Sequence, residues 1–305
     1  MEANESEADS ADGSGIGGPA DTAGTAVAVV SDGSRHSQHT SRRSLNEALA
    51  TDAEIVAGLG GFAADPVVVP ASTDGSLDVT GLLDALEKLP RRYRAVFLTR
   101  TRVPSDFLDA VHGRADLPLV LSEQAASMTV LCASALAHLR RTERTPLESR
   151  VLLAGAHLMP DLGPLLMLAG FYHQTFWSDR DRQTISLERT SDLADVVIDV
   201  RQGSAPAVQT ALIAQNFPDG AVIRPTGLDA RTLVAPGILR VALESPPTSI
   251  QVRLPLLRRC AEALAQSLPL TMPWPGLSED QRGETVTKSV ADAVRRGLDP
   301  RIVDP

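Results

Sequence analysis

From Ala26 onward, short apolar runs alternate with longer stretches of helical period. "TAVAVV" (25–30), "DPVVVPA" (65–71), "RAVFLT" (94–99) and "LPLVLS" (117–122) are apolar runs bounded by turn residues and read as strands. Between them, 44–59, 78–89 and 104–113 read as helices, the second with Leu82, Leu83, Leu86 and Leu89 on one stripe. "AASMTVLCASALAHLR" is apolar nearly all round, which predicts a buried helix of about 16 residues. The alternation then resumes: strands at 150–155, 173–178, 195–200 and 221–226, with helical segments at 161–169 and 206–215. A last helix carries Leu257, Cys260, Ala261, Leu264 and Leu268 on one face. Repeated strand–helix alternation predicts an α/β fold with two parallel-sheet blocks, one on each side of the buried helix.

Composition changes this picture little. The chain has 305 residues, 43% of them hydrophobic, enough for about two domains. Its net charge is −9, and residues 1–24 hold six acidic and no basic residues, leaving a near-neutral body. That balance argues against nucleic acid as a partner. Residues 1–25 have the composition of a disordered acidic tail. Gly13, Gly15 and Gly18 there satisfy G-x-G-x-x-G, but without the strand–turn–helix context that the motif needs. No apolar run reaches membrane-spanning length, and the acidic N-terminus has no signal-peptide core. Cys132 and Cys260 have no metal or disulfide spacing and read as reduced core residues of a cytoplasmic protein. His36 and His39 form an H-x-x-H in a polar loop, and His112, His138 and His173 stand alone. There is no G-x-S-x-G elbow.

Four segments carry a resemblance: "AVAVVSDGSR" (26–35), "LPLVLSEQAASMTV" (117–130), "RVLLAGA" (150–156) with "WSDRD" (177–181), and "APGILRVALES" (235–245). In this order and spacing the chain resembles the bacterial malic enzymes from about Ala26 to Leu268. The resemblance implies a substrate domain followed by a Rossmann-like NAD(P) domain. It also implies oxidative decarboxylation of malate to pyruvate, with NAD(P), a divalent metal held by three carboxylates, and a Lys/Tyr acid–base pair.

The aligned positions depart from that chemistry. No tyrosine precedes Tyr93, the catalytic lysine falls near Ile55, and the glycine-rich loop over 37–41 is "SQHTS". The paired metal ligands fall on Thr99 and Arg100, and the third ligand pair on Ser122 and Glu123, of which only Glu123 is still a carboxylate. The two malate-binding asparagines fall near Arg224 and Arg231. In the dinucleotide loop Gly155 stays, whereas His157 and Pro160 replace the next two glycines. The ribose-binding acid would be Asp179 or Asp181, but a lone Asp after a strand also serves as a cap or turn residue.

These readings predict no metal, and loss of the dinucleotide with NAD or NADP binding as the alternative. Arg100, Arg224 and Arg231 are expected to line the former cleft, either as a pocket for a small carboxylate or phosphate or as arginines paired internally. The candidate acid–base residues are Glu123, His39 and His157. The expected organisation is a tail (1–25), a malic-enzyme-like domain (26–125), a Rossmann-like domain (126–268) and a C-terminal tail (269–305), charged and partly ordered from 278. The expected function is a pseudoenzyme acting as an anion-binding or partner subunit, in a homodimer or with a related protein. A repurposed enzyme acting on a small carboxylate is the alternative, and an ordinary malic enzyme comes third.

Overall fold

The computed structural model describes residues 26–34, 42–69, 79–101, 103, 105–112, 114, 116–217, 221–225, 230–245, 250–267 and 283–298. The acidic tail, the loop holding His39, and "MPWPGL" (272–277) lie outside these residues. Two four-stranded, all-parallel sheets form the frame. The first contains β1 (Ala26–Ser31), β2 (Ala63–Val68), β3 (Tyr93–Leu98) and β4 (Leu119–Ser122) in the order β2-β1-β3-β4. The second contains β5 (Arg150–Ala154), β6 (His173–Trp177), β7 (Val196–Asp199) and β8 (Val222–Ile223) in the order β6-β5-β7-β8. The predicted α/β class and the two sheet blocks are therefore present.

Alternation along each central strand builds two faces. In β1, Val27 and Val29 point into the large core, and Ala26, Ala28 and Val30 into a smaller one. The smaller core is closed by α2 (Val79–Glu87) and α3 (Ser105–His112). In β5, Val151 and Leu153 join the large core, whereas Leu152 and Ala154 face α6 (Leu187–Ser191) and α7 (Ser204–Ala214). Both faces of each sheet are covered, which is what a parallel sheet requires.

The large core is one continuous cluster drawn from both sheets. Its centre is α4 (Glu123–Arg141), the helix expected to be buried, and 15 of its 19 residues are buried, so no face is left for water. Ser122 caps it by accepting from the Ala125 amide at 3.0 Å. Thr129 and Ser134 satisfy their hydroxyls on the carbonyls four residues earlier, at 2.9 and 2.8 Å. Around α4 lie α1 (Arg42–Gly60), α5 (Leu162–Leu168), α8 (Ala235–Glu244) and α9 (Leu254–Ser267). A π-helical turn, Ala230–Val234, leads into α8. After β8 the chain returns to the first sheet, because α8 packs on α1, β3 and β4.

The C-terminal stretch expected to be a charged, partly ordered tail contains α10 (Glu284–Leu298), which packs against α8 and α9. Val286, Val290, Ala291 and Val294 recur at helical spacing and insert into the large core. That stripe is masked in sequence by the charged residues between its members. Gly237 lets the helices meet, since a Cβ there would stand 2.7 Å from Val290 Cβ and 2.9 Å from the Thr287 carbonyl oxygen.

Two outcomes are expected. Gly237→Ala forces α8 and α10 apart and costs about 1–3 kcal/mol in chemical denaturation; an unchanged midpoint would contradict the close approach. Cys132 and Cys260 are fully buried, and burial pushes both thiols up to about 12. Both should resist alkylation in the native protein and react only after unfolding. A raised thiol pKa favours the neutral form of the folded state, so the stability these thiols contribute is present at neutral pH. It falls as pH rises from the ordinary thiol value toward 12.

Candidate functional site

Both sheets share one topology: the first two connections leave the starting strand in opposite directions, so the strand order reverses between β1 and β3 and again between β5 and β7. Crevices at the C-terminal ends of such strand pairs are where open α/β sheets bind ligands. The candidate residues that are described fall at or beside these two places.

At the end of β3, Thr99 and Arg100 meet α1, α4 and the π-helical turn. Arg100 donates from Nε to Asp52 Oδ2 at 2.9 Å and from its terminal nitrogen to Oδ1 at 3.2 Å. Arg231 donates to Asp52 Oδ1 at 2.5 Å and to Glu123 Oε1 at 3.2 Å. The remaining oxygen of Glu123 accepts from the Arg100 amide at 2.8 Å and from the Thr99 hydroxyl at 3.2 Å. Thr99 Oγ1 also lies 3.4 Å from Asp52 Oδ2. The Asp52 side chain is 1% exposed, those of Arg231 and Glu123 13% and 10%, and only Arg100, at 23%, reaches water appreciably. Arg100 adopts φ 54°, a conformation unusual for a residue with a Cβ. Its amide can thereby point at Glu123 while its side chain folds back onto Asp52. Glu123 sits in the first turn of α4, where the helix dipole favours a carboxylate. Two cations and two anions thus neutralise one another. Among the described residues, two buried atoms next to this network have no hydrogen-bond partner: Arg231 Nε and Asp32 Oδ2. The Asp32 amide connects to the network through Thr101 Oγ1 at 3.3 Å, and Thr101 donates to the Thr99 carbonyl at 3.1 Å.

At the end of β5, Gly155 has φ 81°, and a Cβ there would stand 2.6 Å from Arg201 Cγ. Arg201, from the segment after β7, lies directly against this glycine. Its guanidinium takes two bonds of 2.9 Å to the fully buried Asp199, reaches Asp179 and Gln209 at 3.2 and 3.1 Å, and stacks 4.8 Å from the Trp177 ring centroid. Burial disfavours its charge, but Asp199 and Asp179 outweigh burial and hold its pKa above the ordinary value. Thr210 donates to Asp199 as well.

The predicted site residues therefore divide. Arg100, Arg231 and Glu123 are brought together. Arg224 is not part of their network; it donates to the Arg201 carbonyl at 2.9 Å. Asp179 is exposed and paired with Arg201. Asp181 is a turn residue that accepts from the Ser178 amide and hydroxyl at 2.8 Å, and these bonds hold its carboxyl below the usual range. His157 is exposed in a short 3₁₀ turn, Ala156–Leu158. His39 lies outside the described residues. Among the described residues, no three His, Cys, Asp or Glu side chains group as a metal ion would need, and no helix is long and apolar enough to cross a membrane.

The sequence reading missed Asp52, Asp199 and Arg201. Asp52 had a signal: it interrupts the buried stripe Leu45, Leu49, Ala53, Val56 of α1, where a charge needs a buried partner. Asp199 had the same kind of signal, an acid closing a fully apolar strand. Arg201 had none.

Solved structures place this arrangement in a known fold. The malic enzyme of Pyrococcus horikoshii superposes with a TM-score of 0.68 over 91% of this chain and 78% of its own, at 17% identity. The NAD-dependent malic enzyme of Thermotoga maritima gives 0.69 over 90% and 85%, at 16% identity. The Entamoeba histolytica malic enzyme gives 0.65 over 93% and 72%, at 18% identity. The chain therefore has a malic-enzyme-like fold. No protein-family profile and no curated protein sequence matches it.

Removing the carboxylate at the centre of the first network leaves two guanidinium groups facing each other. Asp52→Ala is expected to cost about 3–5 kcal/mol in denaturant unfolding. Replacing Asp52 and Arg100 together by apolar residues, which keeps the Arg231–Glu123 pair, should cost less than that single change. A loss under about 1 kcal/mol for Asp52→Ala would mean that water already satisfies both arginines.

Proposed function

We propose that this chain is a pseudoenzyme on a malic-enzyme-like scaffold, serving as a cytoplasmic binding or partner subunit. The observation that carries the reading is the self-neutralised network of Asp52, Arg100, Arg231 and Glu123. A divalent ion needs several hard oxygen ligands free to face it. At the aligned positions stand Thr99, Arg100, Ser122 and Glu123, and every oxygen of Glu123 and Asp52 is already engaged by a donor. This donor set does not fit a metal. The second crevice does not fit a dinucleotide either, because Arg201 lies on the glycine that a pyrophosphate has to approach. No step of malate decarboxylation is derived from these residues. The two unpaired, buried thiols accord with a reducing compartment.

One observation favours a narrower reading, in which the first crevice takes a small carboxylate or phosphate. Arg231 Nε is a buried donor with no acceptor, and Arg100 beside it is partly exposed. An incoming anion would complete the hydrogen bonding of both guanidinium groups. A repurposed enzyme would need Glu123 freed from its three donors before it could move a proton.

The test is calorimetry of the folded protein with NAD+, NADP+, Mn2+ and malate, alone and together, alongside an assay for reduced nicotinamide. The expected result is no saturable dinucleotide or metal binding and no turnover. Saturable binding of NAD+ or NADP+ with malate-dependent reduction would return the chain to the oxidoreductases. For the narrower reading, phosphate and small dicarboxylates are titrated in parallel. Binding that Arg100→Ala weakens supports the anion site, and binding that it leaves unchanged removes it.

A further inference from the structure

We infer that the ligand of the first crevice is a small zwitterion, an ammonium group and a carboxylate on one short carbon chain. Its ammonium lies on Asp32 and its carboxylate on Arg231 and Arg100. The inference rests on the reading of this crevice as an anion site and adds a second, opposite charge to what the site recognises.

The two orphaned atoms are of opposite kinds. Arg231 Nε is a donor without an acceptor, and Asp32 Oδ2 is an acceptor without a donor. Asp32 is 6% exposed. Its Oδ1 accepts from the Ser34 amide at 2.9 Å, and Oδ2 accepts nothing. A buried carboxylate with a single backbone donor is costly until a cation or further donors reach it. An anion in the crevice answers Arg231 and leaves Asp32 as it was.

The two atoms belong to one place. β1 and β3 are parallel with Val30 opposite Leu98, so Asp32 and Arg100 leave the sheet side by side. Neighbouring strands run about 4.8 Å apart. The Thr99 amide donates to the Val30 carbonyl at 3.0 Å and the Asp32 amide to Thr101 Oγ1 at 3.3 Å, which ties the two strand ends together. Thr99 donates onward to Glu123, whose other oxygen holds Arg231. Three side chains thus link Asp32 to Arg231 across the crevice.

Charge then selects the ligand. Asp52 and Glu123 balance Arg100 and Arg231, and among the described residues of the crevice Asp32 is left as one uncompensated negative charge. Phosphate or a dicarboxylate would set more negative charge beside it, and like charges at close range repel strongly. An amine alone would answer Asp32 and leave Arg231 Nε bare. A zwitterion brings a donor to Asp32 and an acceptor to the guanidinium groups, adds no net charge, and leaves the four-residue network in place. Arg100 is the side of entry, because its side chain is the most exposed of the four.

The test is calorimetry of the full chain with glycine, β-alanine and 4-aminobutyrate, which hold the two charges progressively further apart. Each is compared with its two half-ligands: acetate, propionate or butyrate, and methylamine, ethylamine or propylamine. One zwitterion is expected to bind about tenfold or more tightly than both of its halves, and than phosphate or succinate. Asp32→Asn preserves the shape and the acceptor for the Ser34 amide. It should weaken zwitterion binding about tenfold or more and leave phosphate binding unchanged or stronger, whereas Arg100→Ala should weaken both. The ligand series on the wild-type chain decides even where a variant fails to fold. Zwitterion binding that a folded Asp32→Asn leaves unchanged overturns the inference. Phosphate or succinate binding that Arg100→Ala weakens, with no zwitterion preferred over its halves, overturns it too and leaves the anion site standing. Absence of binding by every one of these ligands removes both.

Discussion

A parallel sheet has to be covered on both faces, and this chain has two of them. The economical solution is a shared layer of helices, and α4 is the member on which the others depend. Ser122, the last residue of β4, caps its N-terminus, and the helix runs through the large core. It presents apolar or self-satisfied side chains in every direction, so one face meets the helices around the first sheet and another those of the second. The chain then returns from β8 through the π-helical turn to α8, placing residues near the C-terminus against the first sheet. The two sheet blocks are therefore mechanically one core, and α10 completes it at the far side.

Within that frame, both ligand-type crevices hold charge that is already answered. In the first, two arginines and two acids from four separate elements close on one another. In the second, Arg201 fills the approach to Gly155 and is held by Asp199, Asp179 and Trp177. Burying a charge is costly unless it is paired. The pairing leaves these residues little capacity for another partner. The exceptions are the orphaned Arg231 Nε and Asp32 Oδ2, which mark the first crevice as the less complete of the two.

Much of this was legible in the sequence because it is local. Alternating apolar runs and helical stripes determined the eight strands, the buried α4 and the two parallel blocks, since periodicity follows from backbone geometry alone. The anchors around Ala26, Leu117, Arg150 and Ala235 led to the malic-enzyme-like fold that the superpositions show. Sequence placed Arg100 and Arg231 at the former cleft, together with Arg224, but not the convergence of Glu123 on them nor their capture by Asp52, which lies 48 and 179 residues from its two arginine partners. Likewise nothing near Gly155 in sequence announces Arg201, which pairs with Asp179, a residue that sequence offers either as a ribose ligand or as a cap or turn residue. Sequence determines which residues carry charge and which elements carry them. Only the tertiary structure decides whether a charge faces a ligand or a neighbouring side chain, because that depends on contacts between segments far apart along the chain.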